Sequence, residues 1–375
     1  MKRLIGVLIA GLLFCGICTC AKAYGYKNII KRANATQEQI PNDNIAETEI
    51  IDTIEVLPTM NSESSAANRI WVGTFQIVWN DLIDNLVKSP VEFIEGENKT
   101  ASDLNNKEFS KDDISDNSYY TKSGVVSPEL KQEIIEGIKK KFNETSDILD
   151  SIDFTYDPEK MLFYAMLKKD FKFLEAFDKL DDEKFGKNLK EVEYFGINEL
   201  SSAKLYKNIS VLFYNRHDDF AVSIHTKGPD EVILYRTDDD KKFNEYYKDL
   251  MDKTKEFEDS QFFGSYDRLK IPNINLYQMT SFPELEDKHI KDTNFKIDKT
   301  IETIDFRMNN EGVKLKSEAA ILMECSAIAG PPPRIRRFYF NDTFVLFLIE
   351  KGKTVPYYAM RVKDVETLNK TGKSE

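Results

Sequence analysis

The sequence has little of what metal-dependent and nucleotide-dependent enzymes use. Its 375 residues include three histidines, His217, His225 and His289, and none stands in an H-x-x-x-H pair or beside a cysteine. There is no glycine-rich phosphate-binding motif and no G-x-S-x-G nucleophile motif. We therefore expect no metal site, no cofactor and no enzymatic activity.

Basic residues are also in short supply. Lys and Arg number 52 against 64 Asp and Glu, which gives a formal net charge of -12, and no Lys/Arg-rich block stands out. Proteins that bind nucleic acid neutralise phosphates with clustered basic side chains, so a nucleic-acid partner is not expected. Hydrophobic residues make up 41% and aromatic residues 12% of the chain, a composition typical of a globular fold.

Cysteine is nearly absent outside the N-terminus. Cys15, Cys18 and Cys20 lie in the first twenty residues, and Cys325 is the fourth. Residues 1–23 contain a basic start, an apolar run and an A-x-A pattern that ends at Ala23, which together predict a cleaved signal peptide. Cleavage would leave one cysteine, so a disulfide scaffold is excluded. We expect an acidic, monomeric protein that is secreted or extracytoplasmic, with no integral membrane domain after cleavage.

A lipid anchor is an alternative fate for the N-terminus, because bacterial lipoproteins are cut immediately before a cysteine. The residues before Cys15 and Cys20 lack the small side chain that such cleavage usually needs. Attachment to the cell surface by a lipid therefore ranks second to simple secretion.

The pattern of residues divides the rest of the chain into a polar spacer, 24–68, with one short strand at 50–57, and a folded domain, 69–375. Helical spacing predicts helices at 71–88 and 128–144, and Asp238 to Asp240 predict the start of another. Apolar and β-branched runs predict strands at 161–168, 210–214, 221–225, 231–235, 269–276, 301–308, 338–340, 344–349 and 357–362. This order predicts an α+β fold with mixed, mostly antiparallel sheets and a cluster of helices.

After Gly312, uncharged residues alternate with positions that carry charges over an unusually long stretch. Every second residue from Val313 to Cys325 is uncharged, whereas the intervening positions include Lys314 and Lys316. Such a pattern predicts either an ordinary long strand with one buried face or a mobile segment able to become a strand. Residues 327–333, with three prolines, end any strand.

At this point the sequence resembles the serpin superfamily of protease inhibitors. The resemblance rests on Asn310-Glu311-Gly312 followed by Ser317-Glu318-Ala319-Ala320, on the pattern of residues 340–349, and on the last strand at 357–362. It covers roughly residues 127–363, and the helix at 128–144 is similar to the one that crosses the family's main sheet. The resemblance implies a serpin-like α+β fold with a long loop or strand near the C-terminus.

In that family the loop is bait for a protease and then inserts into a sheet. The resemblance implies a serine or cysteine protease as partner. It also implies a set of site residues, namely the hinge Glu311, Gly312, Val313, Leu315, Ser317 and Ala319, and the reactive-centre candidates Cys325 and Ser326. A rival register takes residues 317–320 as the hinge and Gly330-Pro331 as the cut bond. Cys325 could also serve for packing alone, or as a free thiol.

The chain departs from the family at several positions. The part before residue 127 is short, Glu302 stands where a histidine usually locks the sheet, and Lys314 and Leu315 replace small hinge residues. These departures weaken the inhibitor hypothesis without excluding it. The alternative is a non-inhibitory secreted or surface protein that binds a partner on a serpin-like scaffold.

Overall fold

Strands outnumber helices in the computed structural model, which describes residues 54–187, 191–315 and 335–369. All of them belong to one compact unit, Ile40–Glu375. Helices and mostly antiparallel strands confirm the predicted α+β class. Among these residues no helix combines the length and the apolar character needed to cross a bilayer. The predicted signal peptide, 1–23, lies outside the described residues.

The helices are α1 (Thr74–Leu82), which continues as a π-helical turn (Ile83–Val87), α2 (Lys99–Asn105), α3 (Pro128–Phe142) and α4 (Phe243–Glu256). The strands are β1 (Ile54–Val56), β2 (Asn68–Val72), β3 (Tyr119–Val126), β4 (Asp157–Leu167), β5 (Lys169–Lys172), β6 (Asp178–Lys184), β7 (Glu191–Ile197), β8 (Ile209–Arg216), β9 (Asp219–His225), β10 (Asp230–Arg236), β11 (Arg268–Pro272), β12 (Ile274–Thr280), β13 (Lys288–His289), β14 (Lys296–Ile297), β15 (Glu302–Met308), β16 (Gly312–Leu315), β17 (Arg337–Tyr339), β18 (Phe344–Glu350) and β19 (Tyr358–Val362).

The largest sheet has the order β1-β2-β19-β18-β10-β9-β8. Its centre is the antiparallel set β9, β10, β18 and β19, in which every residue of β18 is buried. A strand buried on both faces needs a continuous apolar run, which the sequence supplies at 344–349. The predicted strands at 221–225, 231–235, 344–349 and 357–362 are confirmed.

The N-terminal side of this sheet corrects two expectations. β1 confirms the short strand predicted at 50–57, but it pairs in parallel with β2, and Leu57 and Met60 are buried, so folded structure begins before residue 69, within the expected spacer. Trp71, expected in a helix, lies in β2 opposite Ala359, and α1 starts only at Thr74. The helical spacing predicts the conformation correctly from Phe75 onward. At Trp71, pairing with β19 decides the conformation instead.

The helix after β10 also starts later than expected. Asp238 and Asp240 do not cap it, because their carboxylates pair with Arg236 at 2.6 Å and with Arg69 at 2.5 Å. α4 begins at Phe243 instead. Two arginines of the large sheet thus use the acidic residues that helix capping would otherwise use.

α3 matches its prediction closely. The hydroxyl of Ser127 accepts a hydrogen bond from the backbone N–H of Leu130 at 3.1 Å, and Pro128 occupies the first turn. The helix ends at Asn143, whose φ of 55° is left-handed. Its apolar face packs on the β3–β4 pair, where Leu130 and Ile138 join one buried cluster with Tyr164.

Two smaller four-stranded sheets complete the part that positions the candidate site. One has the order β17-β11-β7-β6 and the other β12-β15-β16-β5. The expected single strand at 269–276 is wrong, because Pro272 ends β11 in the first of these sheets and Ile274 starts β12 in the second. The strand expected at 301–308 is confirmed as β15, next to β12.

Candidate functional site

The turn from β15 into β16 lies at the predicted hinge. The side-chain oxygen of Asn309 accepts hydrogen bonds from the backbone N–H groups of Glu311 at 2.9 Å and Gly312 at 3.3 Å. The backbone N–H of Asn309 donates to the carbonyl of Gly312 at 3.1 Å. Asparagine side chains commonly close tight turns by binding backbone groups in this way. The turn therefore sends the chain back beside β15 as an antiparallel strand.

The same turn is tied to the segment after β5. The carbonyl of Glu311 accepts a hydrogen bond from the backbone N–H of Phe173 at 2.9 Å, and the carbonyl of Asn310 accepts one from Phe177 at 2.8 Å. The side-chain amide of Asn310 returns a bond to the carbonyl of Phe177 at 3.2 Å. Glu311, the first of the predicted hinge positions, is thus held both by Asn309 and by the segment after β5.

Gly312 is needed where β16 meets β5. A Cβ atom at this position would lie 2.1 Å from the carbonyl oxygen of Phe171 and 2.8 Å from the Cα of Lys172. Both are backbone atoms, so rotation of a side chain could not relieve the overlap. The glycine permits a backbone approach that any larger residue would prevent.

In β16 the burial of Val313 and Lys314 follows the alternation of uncharged and charged residues in the sequence. Val313 is fully buried between its partners Met308 and Phe171, which are also buried. Lys314 is half-buried and lies opposite Arg307 on one side and Asp170 on the other. Burial raises the pKa of Asp170, and the positive charge of Lys314 acts in the opposite direction.

The predicted hinge residues that the structure describes are Glu311, in the turn, and Gly312, Val313 and Leu315, in β16. The predicted site residues that lie outside the described residues are Ser317, Ala319, Cys325 and Ser326. Their roles as hinge and reactive centre stay predictions.

A cavity of about 770 Å³ lies between β4 and β15. β4 pairs with β3, and β15 pairs with β12 and β16, so β4 and β15 are not neighbours in the sheets of the described residues. The gap closes only past the end of β4, where β16 lies between β15 and β5. We call this gap the sheet cleft. It is lined by α1, by the segment that follows α3 and by β4 and β15.

Glu302 lies in the sheet cleft at the start of β15. Its side chain is 5% exposed, and neither carboxylate oxygen has a hydrogen-bond partner among the described residues. Burial raises its pKa to about 8, although the nearby backbone N–H of Phe75 in α1 acts in the opposite direction. An acid in this position is protonated and neutral at pH 7. The sequence resemblance singled out this position but not its burial.

A second buried charge was missed by the sequence analysis. Lys169, in β5 and opposite Leu315, is fully buried, and its ammonium pairs with Asp230 at 2.7 Å and with Glu350. Burial raises the pKa of Asp230; for Glu350, contacts that include Lys169 outweigh burial and lower the pKa. The hydroxyl of Tyr357 donates to Asp230 at 3.0 Å. This cluster joins β5, beside the hinge strand, to β10 and β18 of the large sheet.

Comparison with known proteins gives similar structures but no close relative. No protein-family model and no curated protein matches the chain. Serpin48 of the insect Tenebrio molitor is similar at 13% identity and a TM-score of 0.43, over 80% of this chain and 92% of that one. Thyroxine-binding globulin in complex with thyroxine is similar at 11% identity and a TM-score of 0.39, over 62% of this chain and 64% of that one, less than two thirds of the globulin.

The helix α3, the turn at Gly312, the strand that follows it and the last strands β18 and β19 occur along the chain in the order that the sequence resemblance implied. At TM-scores below 0.5 the solved structures carry no conclusion about what this chain binds or inhibits.

Proposed function

We propose that this chain is an exported, monomeric protease inhibitor whose residues 316–334 act as bait for a serine or cysteine protease and then extend β16 into the sheet cleft. The observation that carries the proposal is the position of β16, whose four residues already lie between β15 and β5 at one end of the cleft. Inserting a strand into a sheet supplies main-chain hydrogen bonds along both edges. The chain would act as an inhibitor, with no catalysis of its own.

The pairing register of β16 with β15 predicts which side chains would be buried if residues 316–334 inserted as a strand. Met308 pairs with Val313 and Arg307 with Lys314, so continuation of this pairing would set Ala319 opposite Glu302 and Lys316 opposite Asp305. Ala319 would lie on the same face of the strand as buried Val313, whereas Lys316 would lie on the face of half-buried Lys314. Insertion would therefore bury small or uncharged side chains and leave the charged ones on the other face.

The proposed cut bond is Cys325-Ser326. No Lys or Arg occurs from Leu322 to Gly330, so the target protease would accept small or apolar residues. The test is incubation of the full chain with elastase-like, subtilisin-like and papain-like proteases, followed by denaturing electrophoresis. An adduct that survives detergent supports the proposal. Cleavage of the chain with full residual protease activity for every enzyme would contradict it.

Two adjacent alanines supply a matched pair of variants. Ala319→Glu places a charge on the parity of Val313, whereas Ala320→Glu places the same charge on the parity of Lys314. Because only the first would be buried by insertion, we expect Ala319→Glu to be cleaved without forming the adduct and Ala320→Glu to form it as the unaltered chain does. Equal adduct yields from the two variants would remove the support for insertion.

A non-inhibitory binding protein on the same scaffold is the second candidate. The observation that favours it is the hinge itself, since Lys314 and Leu315 are larger than the small residues that strand insertion favours. The two functions differ in their response to cleavage within 316–334. An inserting loop would raise the thermal unfolding temperature strongly after cleavage, whereas an ordinary loop would leave it unchanged.

Export is part of the proposal and has its own test. Cleavage after Ala23 predicts an exported chain that begins at Tyr24, which N-terminal sequencing would identify. Recovery of a lipid-modified chain that begins at Cys20 would instead support attachment to the cell surface.

A further inference from the structure

The sheet cleft combines an apolar lining with a buried acid, Glu302, whose oxygens have no hydrogen-bond partner among the described residues. We propose that this cleft is a binding site for a small molecule that has a single ammonium group on an apolar body, with the ammonium held by Glu302. The proposal goes beyond inhibition of a protease and does not depend on it, because it rests on described residues that line the cleft and not on residues 316–334.

The dimensions suit a small organic ligand. A volume of about 770 Å³ lies within the range of roughly 300–1,000 Å³ that is usual for small-molecule sites. Apolar side chains line it from several elements, among them Phe75 and Trp79 of α1, Ile148 after α3, and Ile304 of β15. Such a lining would remove the body of the ligand from water, and the remaining polar group would fix its orientation.

Glu302 supplies that polar group. It lines the cavity and is only 5% exposed to solvent. Neither of its oxygens has a hydrogen-bond partner among the described residues. Leaving a buried polar group without a partner costs about 1–3 kcal/mol. An ammonium group would donate to both oxygens and pair with the carboxylate charge, which makes a charge-assisted bond of the stronger kind.

The other charged groups of the cleft favour a cation over an anion. Among the described residues, seven carboxylates besides Glu302 and five lysines line it. Four of the lysines are engaged: Lys168 pairs with Glu144 at 2.7 Å, Lys160 with Asp298 at 3.6 Å and Lys296 with Asp287 at 2.8 Å, and Lys314 lies opposite Asp170. Asp147 and Asp305 are exposed carboxylates of this lining, and Asp305 also pairs with Arg307 at 3.0 Å. Partial desolvation, and then the negative charge of Asp305, raise the pKa of Asp147. A carboxylate ligand would therefore meet further carboxylates on its way in, whereas an ammonium would be attracted.

Binding of an amine would release a proton. Because burial raises the pKa of Glu302 to about 8, its carboxyl carries a proton at pH 7, and the ligand amine carries its own. Forming the ion pair requires the carboxyl proton to leave to the buffer, so nearly one proton would be released per ligand at pH 7. The affinity should then rise between pH 7 and pH 8 and level off above pH 8.

The experiment is isothermal titration calorimetry on the full chain with 2-phenylethylamine, 2-phenylethanol and 3-phenylpropanoate, which share one apolar body. We expect the amine to bind at least tenfold more tightly than the alcohol, and the carboxylate to bind more weakly still. Heats measured in two buffers of different ionisation enthalpy would give the proton release. Equal affinities for amine and alcohol, or no saturable binding of the amine, would overturn the proposal.

Two variants remove the same charge from different places. Glu302→Gln should weaken amine binding at least tenfold, leave alcohol binding unchanged and abolish the proton release. Glu258→Gln, at an exposed position outside the cleft, should leave all three quantities unchanged. Unaltered amine affinity in Glu302→Gln would contradict the assignment. If that variant does not fold, the comparison of amine with alcohol on the unaltered chain decides the question.

Discussion

Glu302 should make the folded protein lose stability as the pH rises, which is the reverse of what most carboxylates do. Its pKa is raised from 4.5 to about 8 by burial, against a smaller opposing effect of the Phe75 backbone N–H. Between these two values the folded protein binds a proton that the unfolded chain has lost. Folding stability is therefore complete below pH 4.5 as far as this group is concerned, declines as the pH rises, and reaches its lower limit above pH 8.

The magnitude follows from the interval between the two pKa values. At 1.36 kcal/mol for each pH unit, the rise from 4.5 to about 8 corresponds to a total loss of about 5 kcal/mol, of which about 4 kcal/mol falls between pH 5 and pH 9. No discount for solvent screening applies, because the side chain is only 5% exposed. A loss of this size is a large share of the about 5–15 kcal/mol that stabilises a typical domain.

The assay is urea unfolding of the unaltered chain and of Glu302→Gln at pH 5, pH 7 and pH 9. Glutamine does not titrate, so the stability of the variant relative to the unaltered chain should rise by about 4 kcal/mol from pH 5 to pH 9. Glu258→Gln is the control for the same replacement at an exposed position outside the cleft. A change below about 1 kcal/mol for Glu302→Gln, or a change in the opposite direction, would refute the reasoning.

Three further substitutions test the buried ion-pair cluster, the hinge glycine and the cap of α3. Lys169→Met should cost about 3–5 kcal/mol in urea unfolding, because it leaves two buried carboxylates without their cation, and neutralising both partners in the same chain should restore most of the loss. Gly312→Ala should cost about 1–3 kcal/mol through overlap with the β5 backbone, whereas Gly264→Ala, whose Cβ would meet only a side-chain oxygen at 3.8 Å, should cost less than half as much. Ser127→Ala should cost about 1 kcal/mol and raise amide hydrogen exchange in the first turn of α3, and unchanged exchange there would contradict its role as the cap.

Local signals were sufficient for some elements. α3 has a capping serine, a proline in its first turn and apolar residues at every fourth position, all of which act within one segment. β18 consists of a continuous apolar run, which only a strand covered on both faces can use. In these places the residues that decide the conformation are near neighbours in the sequence, and the predictions were correct.

Elsewhere the decision comes from distant parts of the chain. Trp71 fits the helical spacing of the residues that follow it, yet it pairs with Ala359, which lies far away in the sequence. Asp240 would suit a helix cap, but Arg69 competes for its carboxylate. β11 and β12 were predicted as one strand because both are apolar, although the alternation changes phase at Asn273; their partners show that they belong to different sheets. A single sequence does not contain those pairings.

The two buried charges lie between these cases. Glu302 shares strand parity with buried Ile304 and Phe306, and Lys169 shares it with buried Phe171, so the alternation of each strand already sets a charged residue on an apolar face. Parity can therefore predict that such a residue is buried. It cannot predict whether a partner reaches it, because the partner comes from another part of the chain.

For Lys169 two carboxylates come from β10 and β18, and the result is a closed cluster that holds the sheets together. For Glu302 no partner comes from the described residues, and the result is a protonated acid in a cavity. A charged residue on the apolar face of a strand thus forms a structural ion-pair cluster in β5 and an acid without a partner among the described residues in β15. A buried acid without a hydrogen-bond partner costs stability unless a ligand supplies that partner. Its presence in a cleft of this size is therefore a physical reason to test the protein for ligand binding.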